Sequence, residues 1–250
     1  MSTLLTPERK MIDIHMHLIP GVDDGAENME MSLIMMARAM GQGISQIIAT
    51  PHSEVFRYSK EGGKIIFKRL VDTAAKVCPE LKLYLGCEIY CETGIMDEVV
   101  EALDSGRYPT MNGTKYVLME FSQWVYQENT IPCVEALVKA GYIPIIAHME
   151  RYKFLQGNME LVDFFRDMGA LIQLNAYSLF NEMDESIKNW ARRLVLERKA
   201  DFLGTDAHRT YHRPPSAKWG LNWLYENVER DYADAIALGN AQNILMEEQI

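Results

Sequence analysis

The run Met11-Ile12-Asp13-Ile14-His15-Met16-His17 ends in two imidazoles one residue apart. Side chains of an extended segment alternate between faces, so His15 and His17 share one side. Two neutral ring nitrogens aimed at one point will hold a divalent cation. The same ending recurs along the chain. Gln46-Ile47-Ile48-Ala49-Thr50-Pro51 stops at His52, Leu83-Tyr84-Leu85-Gly86-Cys87 at Glu88, and Tyr116-Val117-Leu118-Met119 at Glu120. Ile143-Pro144-Ile145-Ile146-Ala147 stops at His148, and Ala200-Asp201-Phe202-Leu203-Gly204-Thr205 stops at Asp206, with His208 two residues on. Asp24, in the loop Gly21-Val22-Asp23-Asp24-Gly25, joins these as a candidate ligand, whereas Asp23 reads as a turn-former that bonds its own backbone. Every donor in this set is nitrogen or oxygen, which suits manganese, iron, zinc or magnesium and selects none of them.

Groups so far apart in sequence meet only if the runs are parallel strands whose carboxyl ends converge on one mouth. Seven strands are predicted: 11–17, 46–52, 82–89, 115–121, 143–149, 170–176 and 200–206. Most are separated by helical patterns long enough for a right-handed crossover. Met29, Leu33, Met36, Ala37 and Met40 recur at helical spacing before Gly41 and Gly43, and Ile66, Leu70, Ala74 and Val77 mark a second helix over about 64–77. Further helices are predicted over 94–104, from Thr130 as a hydroxyl cap with Pro132 in the first turn, from Asn158 as a cap, and over 185–198, 217–227 and 232–246. This α/β alternation predicts a distorted, TIM-like (β/α)7 barrel with its active mouth at the strand carboxyl ends, an open doubly wound sheet being the alternative.

The totals narrow the function classes. An apolar share of 48% can fill one core, and 250 residues suit one domain of this kind, with residues 1–10 as an N-terminal extension. That extension is polar, unlike the apolar stretch of a signal peptide, and no run approaches the length of a membrane span, so a cytoplasmic protein without membrane insertion is expected. A formal net charge of −10 argues against nucleic acid as a partner. Cys78, Cys87, Cys91 and Cys133 make no disulfide framework or Cys-x-x-Cys pair and read as reduced packing residues. A cysteine phosphatase needs an arginine six positions after its nucleophile; here those positions hold Tyr84, Thr93, Asp97 and Lys139. Arg151, three residues past His148, and Arg213, seven past Asp206, can overhang the mouth. Such a guanidinium serves either as a surface ion pair or as a fork for phosphate oxygens.

With these residues in place, the chain resembles the polymerase and histidinol phosphatase (PHP) superfamily, and within it the capsule-type bacterial protein tyrosine phosphatases. The resemblance runs over nearly all of residues 11–250 and rests on the His-x-His run at 11–17, Pro-Gly-Val-Asp-Asp-Gly at 20–25, Ala-Thr-Pro-His at 49–52, Gly-Cys-Glu at 86–88, Ala-His-Met-Glu-Arg at 147–151 and Gly-Thr-Asp-Ala-His at 204–208. It implies a PHP-type phosphatase domain over 11–250 and three divalent ions, manganese by precedent. His15, His17, Glu88 and Asp206 would hold one ion; Glu88, Glu120 and His148 a second, with Glu88 bridging; Asp24, His52 and His208 a third. Arg151 and Arg213 become phosphate-binding catalytic residues. The activity implied is hydrolysis of phosphotyrosine on a bacterial tyrosine kinase that governs capsular or exopolysaccharide synthesis, with homo-oligomerisation open. A small-molecule phosphatase, as for histidinol phosphate, and a non-catalytic scaffold are the competing expectations.

Overall fold

The computed structural model describes residues 10–57, 61–122, 124–180 and 184–246. Of the extension read at residues 1–10, residues 1–9 lie outside them. Parallel strands alternate with helices along the chain. Strands β1 (Met11–Met16), β2 (Ile44–Ala49) and β3 (Lys82–Leu85) form a three-stranded sheet in that order. Strands β4 (Glu88–Tyr90), β5 (Tyr116–Glu120), β6 (Ile143–Ile146), β7 (Leu171–Asn175) and β8 (Phe202–Gly204) form a second, again in sequence order and all parallel.

The single strand expected over 82–89 is therefore two. Its first half pairs with β2 and its second with β5, and the ladder changes partner at Gly86-Cys87. The sheets touch at both margins. Met16 bridges Ala207, with His17 N–H donating to Ala207 C=O at 2.9 Å and Asp206 N–H to His15 C=O at 2.7 Å. On the other side His52 bridges Glu88, with Glu88 N–H donating to Pro51 C=O at 3.0 Å.

Helices α1 (Met29–Gly41), α2 (Glu54–Arg57), α3 (Gly62–Val77), α4 (Met96–Asp104), α5 (Ile131–Lys139), α6 (Met159–Asp167), α7 (Glu185–Leu196), α8 (Lys218–Asn227), α9 (Arg230–Asp234) and α10 (Asn240–Met246) connect or follow the strands, the last two joined by a π-helical turn at Ala235–Gly239. Asn158 does cap α6, its side chain accepting from Leu161 N–H at 3.1 Å. Thr130 does not cap α5. Its backbone is already helical, and its hydroxyl donates to Gln127 C=O at 2.7 Å, closing the preceding turn instead.

Strand alternation sorts two apolar clusters. Val117 and Met119 belong to the larger one, which packs with the helices, whereas Tyr116 and Leu118 join Ile12, Ile14, Ile48, Ile145 and Phe202 in a smaller one between the strands. Ala241 and Ile244 of α10 close that smaller cluster near the strand starts, where Gln46 meets Gln242 and Asn112 meets Leu245. Glu120, two residues past Leu118, continues the same phase into the carboxyl-end mouth.

Candidate metal centre

The structure brings the nine proposed ligands together. Glu88, 1% exposed, stands at their centre: its Oε1 is 3.1 Å from His15 Nε2 and 2.9 Å from His148 Nε2, and its Oε2 is 3.1 Å from His17 Nε2 and 3.2 Å from His52 Nδ1. Asp206 Oδ1 lies 3.5 Å from His15 Nε2 and 3.7 Å from His17 Nε2. Glu120 is 3.2 Å from His52 and 3.7 Å from His148, while Asp24 Oδ1 is 3.5 Å from His52 and 3.4 Å from His208. The donor atoms fall into four groups, each within 4.8 Å: His17, Asp24, His52 and His208; His15, Glu88 and His148; His15, His17 and Asp206; His52, Glu88 and Glu120.

Whether this set suits a cation follows from where the protons must be. Gln173 Oε1 accepts from His148 N–H at 2.9 Å, so that atom is an oxygen, and His15 Nδ1 at 3.1 Å from it must carry the proton. His15 Nε2 then presents a lone pair toward Glu88 and Asp206. The Asp23 carboxylate, 2.9 Å from His17 Nδ1, imposes the same tautomer on His17. In His208, Nδ1–H donates to Asp206 C=O at 2.9 Å, leaving Nε2 as the acceptor of Arg213 Nη1–H at 3.1 Å. The result is lone pairs facing carboxylate oxygens: His15 Nε2, His17 Nε2 and Asp206 Oδ1 are buried and make no hydrogen bond among the described residues. Only positive charge between them makes that arrangement favourable, so the residues fit divalent cations.

Without metal, protons serve. Burial disfavours charge on His17, but Asp23 and Glu88 more than offset it and push its pKa up to about 9. His52 likewise reaches about 9 against its burial, through Glu120 and Glu88. Burial works against the Glu88 carboxylate too, yet His15, His148 and His17 hold it well below the usual range. His208 is the exception: burial, His17 and Arg213 push it down to about 3, leaving a neutral imidazole. Protons and metal ions compete here for the same lone pairs.

Several positioning residues escaped sequence reasoning. Asp23, read there as a turn-former, does bond Gly25 N–H at 3.0 Å, but its other oxygen orients His17 and accepts from His52 N–H at 3.2 Å. Gly25 must be glycine for this loop to lie against β1, since a Cβ there would sit 2.3 Å from His17 C=O. The strand at 170–176 offered no ligand, yet Gln173 and Asn175 point into the centre, Asn175 donating to Asp206 Oδ2 at 3.2 Å. Two polar residues spaced by one in an apolar strand were the available signal. Asp13, fully buried, takes Thr205 N–H at 2.9 Å and His15 N–H at 3.1 Å and so ties β1 to the Asp206 loop; burial, against those hydrogen bonds, pushes its pKa up to about 6.

The two flanks of the centre differ in charge. One is a 470 Å³ cleft lined by Asp24, Glu54 and Glu120 with His52 among them. On the other, Arg151 Nη1 lies 2.8 Å from Asp206 Oδ2, and Arg213 bonds the same oxygen. The backbone is strained where the mouth needs it: of five non-glycine residues in left-handed conformation among those described, His148, Asp206 and Arg213 belong to this site. Each costs on the order of 1–3 kcal/mol, which the surrounding hydrogen bonds must hold in place.

Comparisons agree with this geometry. The family of capsular polysaccharide synthesis proteins CpsB/CapC matches residues 11–246. The tyrosine-protein phosphatase CpsB of Streptococcus agalactiae is 29% identical over 96% of this chain and 100% of its own length, and the tyrosine-protein phosphatase YwqE of Bacillus subtilis is 32% identical over 81% and 79%. A crystal structure from work on YwqE of Bacillus subtilis and CpsB of Streptococcus pneumoniae, described there as unique metal-dependent tyrosine phosphatases, superposes with TM-score 0.86 at 30% identity over 96% of each chain. A beta-aspartyl dipeptidase of Fervidobacterium islandicum shares the fold alone, with TM-score 0.60 at 15% identity over 94% of this chain and 72% of its own. With the match running from the His-x-His strand to the last described helix, the chain belongs to the CpsB/CapC family of capsular polysaccharide synthesis proteins.

Proposed function

We propose that this chain is a metal-dependent phosphatase for phosphotyrosine in proteins, acting in the cytoplasm on a bacterial tyrosine kinase that controls capsule or exopolysaccharide assembly. One observation carries the chemistry: unpaired imidazole and carboxylate lone pairs face one another beside two arginines. The likeness to CpsB and YwqE supports the substrate class. Among the described residues no helix is long and apolar enough to cross a membrane. We read the two sheets as one distorted (β/α)7 barrel and residues 11–250 as one domain, a reading supported by the bridges Met16–Ala207 and His52–Glu88.

Three divalent ions, manganese by preference, would be held by His15, His17, Glu88 and Asp206; by Glu88, Glu120 and His148; and by Asp24, His52 and His208. Bound there, they supply Lewis acidity that brings the pKa of a water toward neutrality. The chain supplies the rest. Arg151 and Arg213 turn from Asp206 onto the non-bridging oxygens of the phosphate, where a planar fork matches their geometry. His208, kept neutral, offers its Nε2 lone pair. A water oxygen bonds to phosphorus as the ester P–O bond breaks with its electron pair on the phenolic oxygen; the proton the water sheds passes to solvent, and the phenolate takes one up on release. A leaving group of pKa about 10 needs less protonation than an alkoxide, and the residues described provide positioning and charge in preference to a covalent nucleophile.

The test joins metal analysis of the purified protein to assays on a tyrosine-phosphorylated kinase tail. Chelation should abolish turnover and manganese restore it. Arg213→Lys should cut kcat/KM by about 10²–10³-fold, as loss of one oriented donor does at other charged transition states. A strong preference for histidinol phosphate would replace the substrate assignment, and absence of both metal and turnover with added manganese would leave a scaffold.

A further inference from the structure

The arginine flank of the centre opens into a cleft of about 500 Å³ lined by Arg151, Arg213 and Asp206 together with Tyr177, Ile187 and Pro214. That volume lies within the roughly 300–1,000 Å³ of small-molecule pockets. Resting on the phosphatase reading above, we infer that this cleft is the pocket for the aromatic leaving group, with Tyr177 as its specificity-determining wall and Ile187 and Pro214 completing it.

The lining residues decide which way the ring runs. A phosphate monoester carries up to two negative charges, which Arg151 and Arg213 attract. Tyr177, Ile187 and Pro214 line the same cleft as those two arginines, whereas the cleft on the other flank adds Glu54 to the ligands Asp24, His52 and Glu120. With the phosphoryl group against the arginines and the ligand cluster, the ester oxygen and its ring extend toward the apolar side chains that line that cleft among the described residues, those of Tyr177, Ile187 and Pro214.

The wall is held before any ligand arrives. Tyr177 rides on the single 3₁₀ turn Ala176–Leu179, directly after β7. Ser178 Oγ donates to the buried Glu150 at 2.7 Å, and Arg192 Nε donates to Leu179 C=O at 2.9 Å. Helix α8 presses on the same turn through Gly220, where a Cβ would lie 2.0 Å from Ala176 C=O. Phe180 stacks on Trp219 with ring centroids 5.3 Å apart. Tyr177 itself is 43% exposed, so its backbone is fixed while its ring faces the open cleft. Ile187 stands in the first turn of α7, its N–H held by the Asp184 cap at 3.1 Å. A fixed aromatic wall discriminates by ring contact without an ordering cost on binding.

The experiment titrates phenylphosphonate and methylphosphonate, which cannot be hydrolysed, into the manganese-supplemented full chain by calorimetry. Wild type should prefer the phenyl compound about tenfold or more; Tyr177→Ala should lose about five- to tenfold of that preference with methylphosphonate binding unchanged, and Tyr177→Phe should retain it. Retained methylphosphonate binding also establishes that the variant is folded. Equal binding of the two phosphonates by wild type, binding of neither, or an equal loss of both in Tyr177→Ala overturns the pocket. Parallel assays of aryl phosphate hydrolysis separate the two readings. Phenyl selectivity without turnover keeps the pocket and removes the phosphatase, while turnover with selectivity untouched by Tyr177→Ala does the reverse.

Discussion

Ile14 and His15, Ile48 and His52, Leu118 and Glu120, and Ile145 and His148 are near neighbours on a strand or just past its end, yet each pair divides between two regions of opposite character. The first members pack with Ile12 and Phe202 into a dry cluster closed by α10. The second members belong to a centre of imidazoles and carboxylates, several of whose buried atoms, on His15, His17, His148 and Asp206, make no hydrogen bond among the described residues. The apolar region is satisfied by its own contacts, at roughly 1.5–3 kcal/mol per buried aliphatic side chain. The polar region bears a desolvation cost that only added cations offset. Substitutions in one should therefore change stability without chemistry, and in the other chemistry before stability.

Glu88→Gln tests the polar side most severely, because four histidines converge on that carboxylate. Turnover should fall by about 10³-fold or more, several kcal/mol of charge stabilisation at about 1.4 kcal/mol per decade. A second readout needs no turnover. Manganese at a hundred times its dissociation constant should stabilise wild type by about 2.7 kcal/mol, and thermal melts of Glu88→Gln should show much less. An unchanged metal-induced shift in that variant would remove Glu88 from the centre.

Leu118→Ala probes the apolar side at the same strand, two residues before Glu120. Urea unfolding should give a loss of about 2–5 kcal/mol, the range for a buried leucine truncated to leave a cavity. Turnover per folded molecule should stay within about twofold. If kcat falls in proportion to stability, the two regions are one mechanical unit and the contrast fails.

The contrast also explains what the sequence disclosed. Most ligand positions were legible because they close apolar runs, Asp24 in its loop being the exception and His208 lying two residues past its run: a strand that ends in a charge advertises both its burial and its mouth. The partners that orient the ligands were not, because their work is done by one atom of an ordinary residue. Asp23 looks like any turn aspartate until its second oxygen is seen on His17. Gln173 looks like a strand polar residue until the same oxygen holds both His15 and the His148 backbone. The split of 82–89 into two strands was hidden for another reason: composition reports extension and burial, whereas the change from β2 to β5 as partner at Gly86-Cys87 is a property of the sheet. Thr130 shows the local form of the same limit, its hydroxyl having two acceptable uses within one turn.

Asp23→Asn should sharpen the boundary of the polar region. Asn can present an oxygen or an amide N–H to His17 Nδ1, so the tautomer is no longer imposed. Such losses behind a metal-binding histidine cost about 10–100-fold in affinity. Calorimetric titration with manganese should show that loss, and urea unfolding of the metal-free chain near pH 7 should also show a loss of stability, because there Asp23 partners a protonated His17.

The smallest effect is expected at the cysteines, and it discriminates between chemistries. Cys87 directly precedes Glu88, and Cys91 follows Cys87 by four residues. Burial, then the charges of Glu88 and its neighbours, pushes the Cys87 thiol well above its ordinary range, and burial does the same for Cys91. Cys133 is pushed up to about 11, again by burial. Because the thiolate is the reactive form, these groups stay protonated and inert at pH 7–8. Iodoacetamide should therefore leave turnover within about twofold while a chelator abolishes it. A cysteine mechanism demands the reverse, for its thiolate must be both exposed and ionised, and nothing about Cys87, 1% exposed behind a carboxylate, permits either.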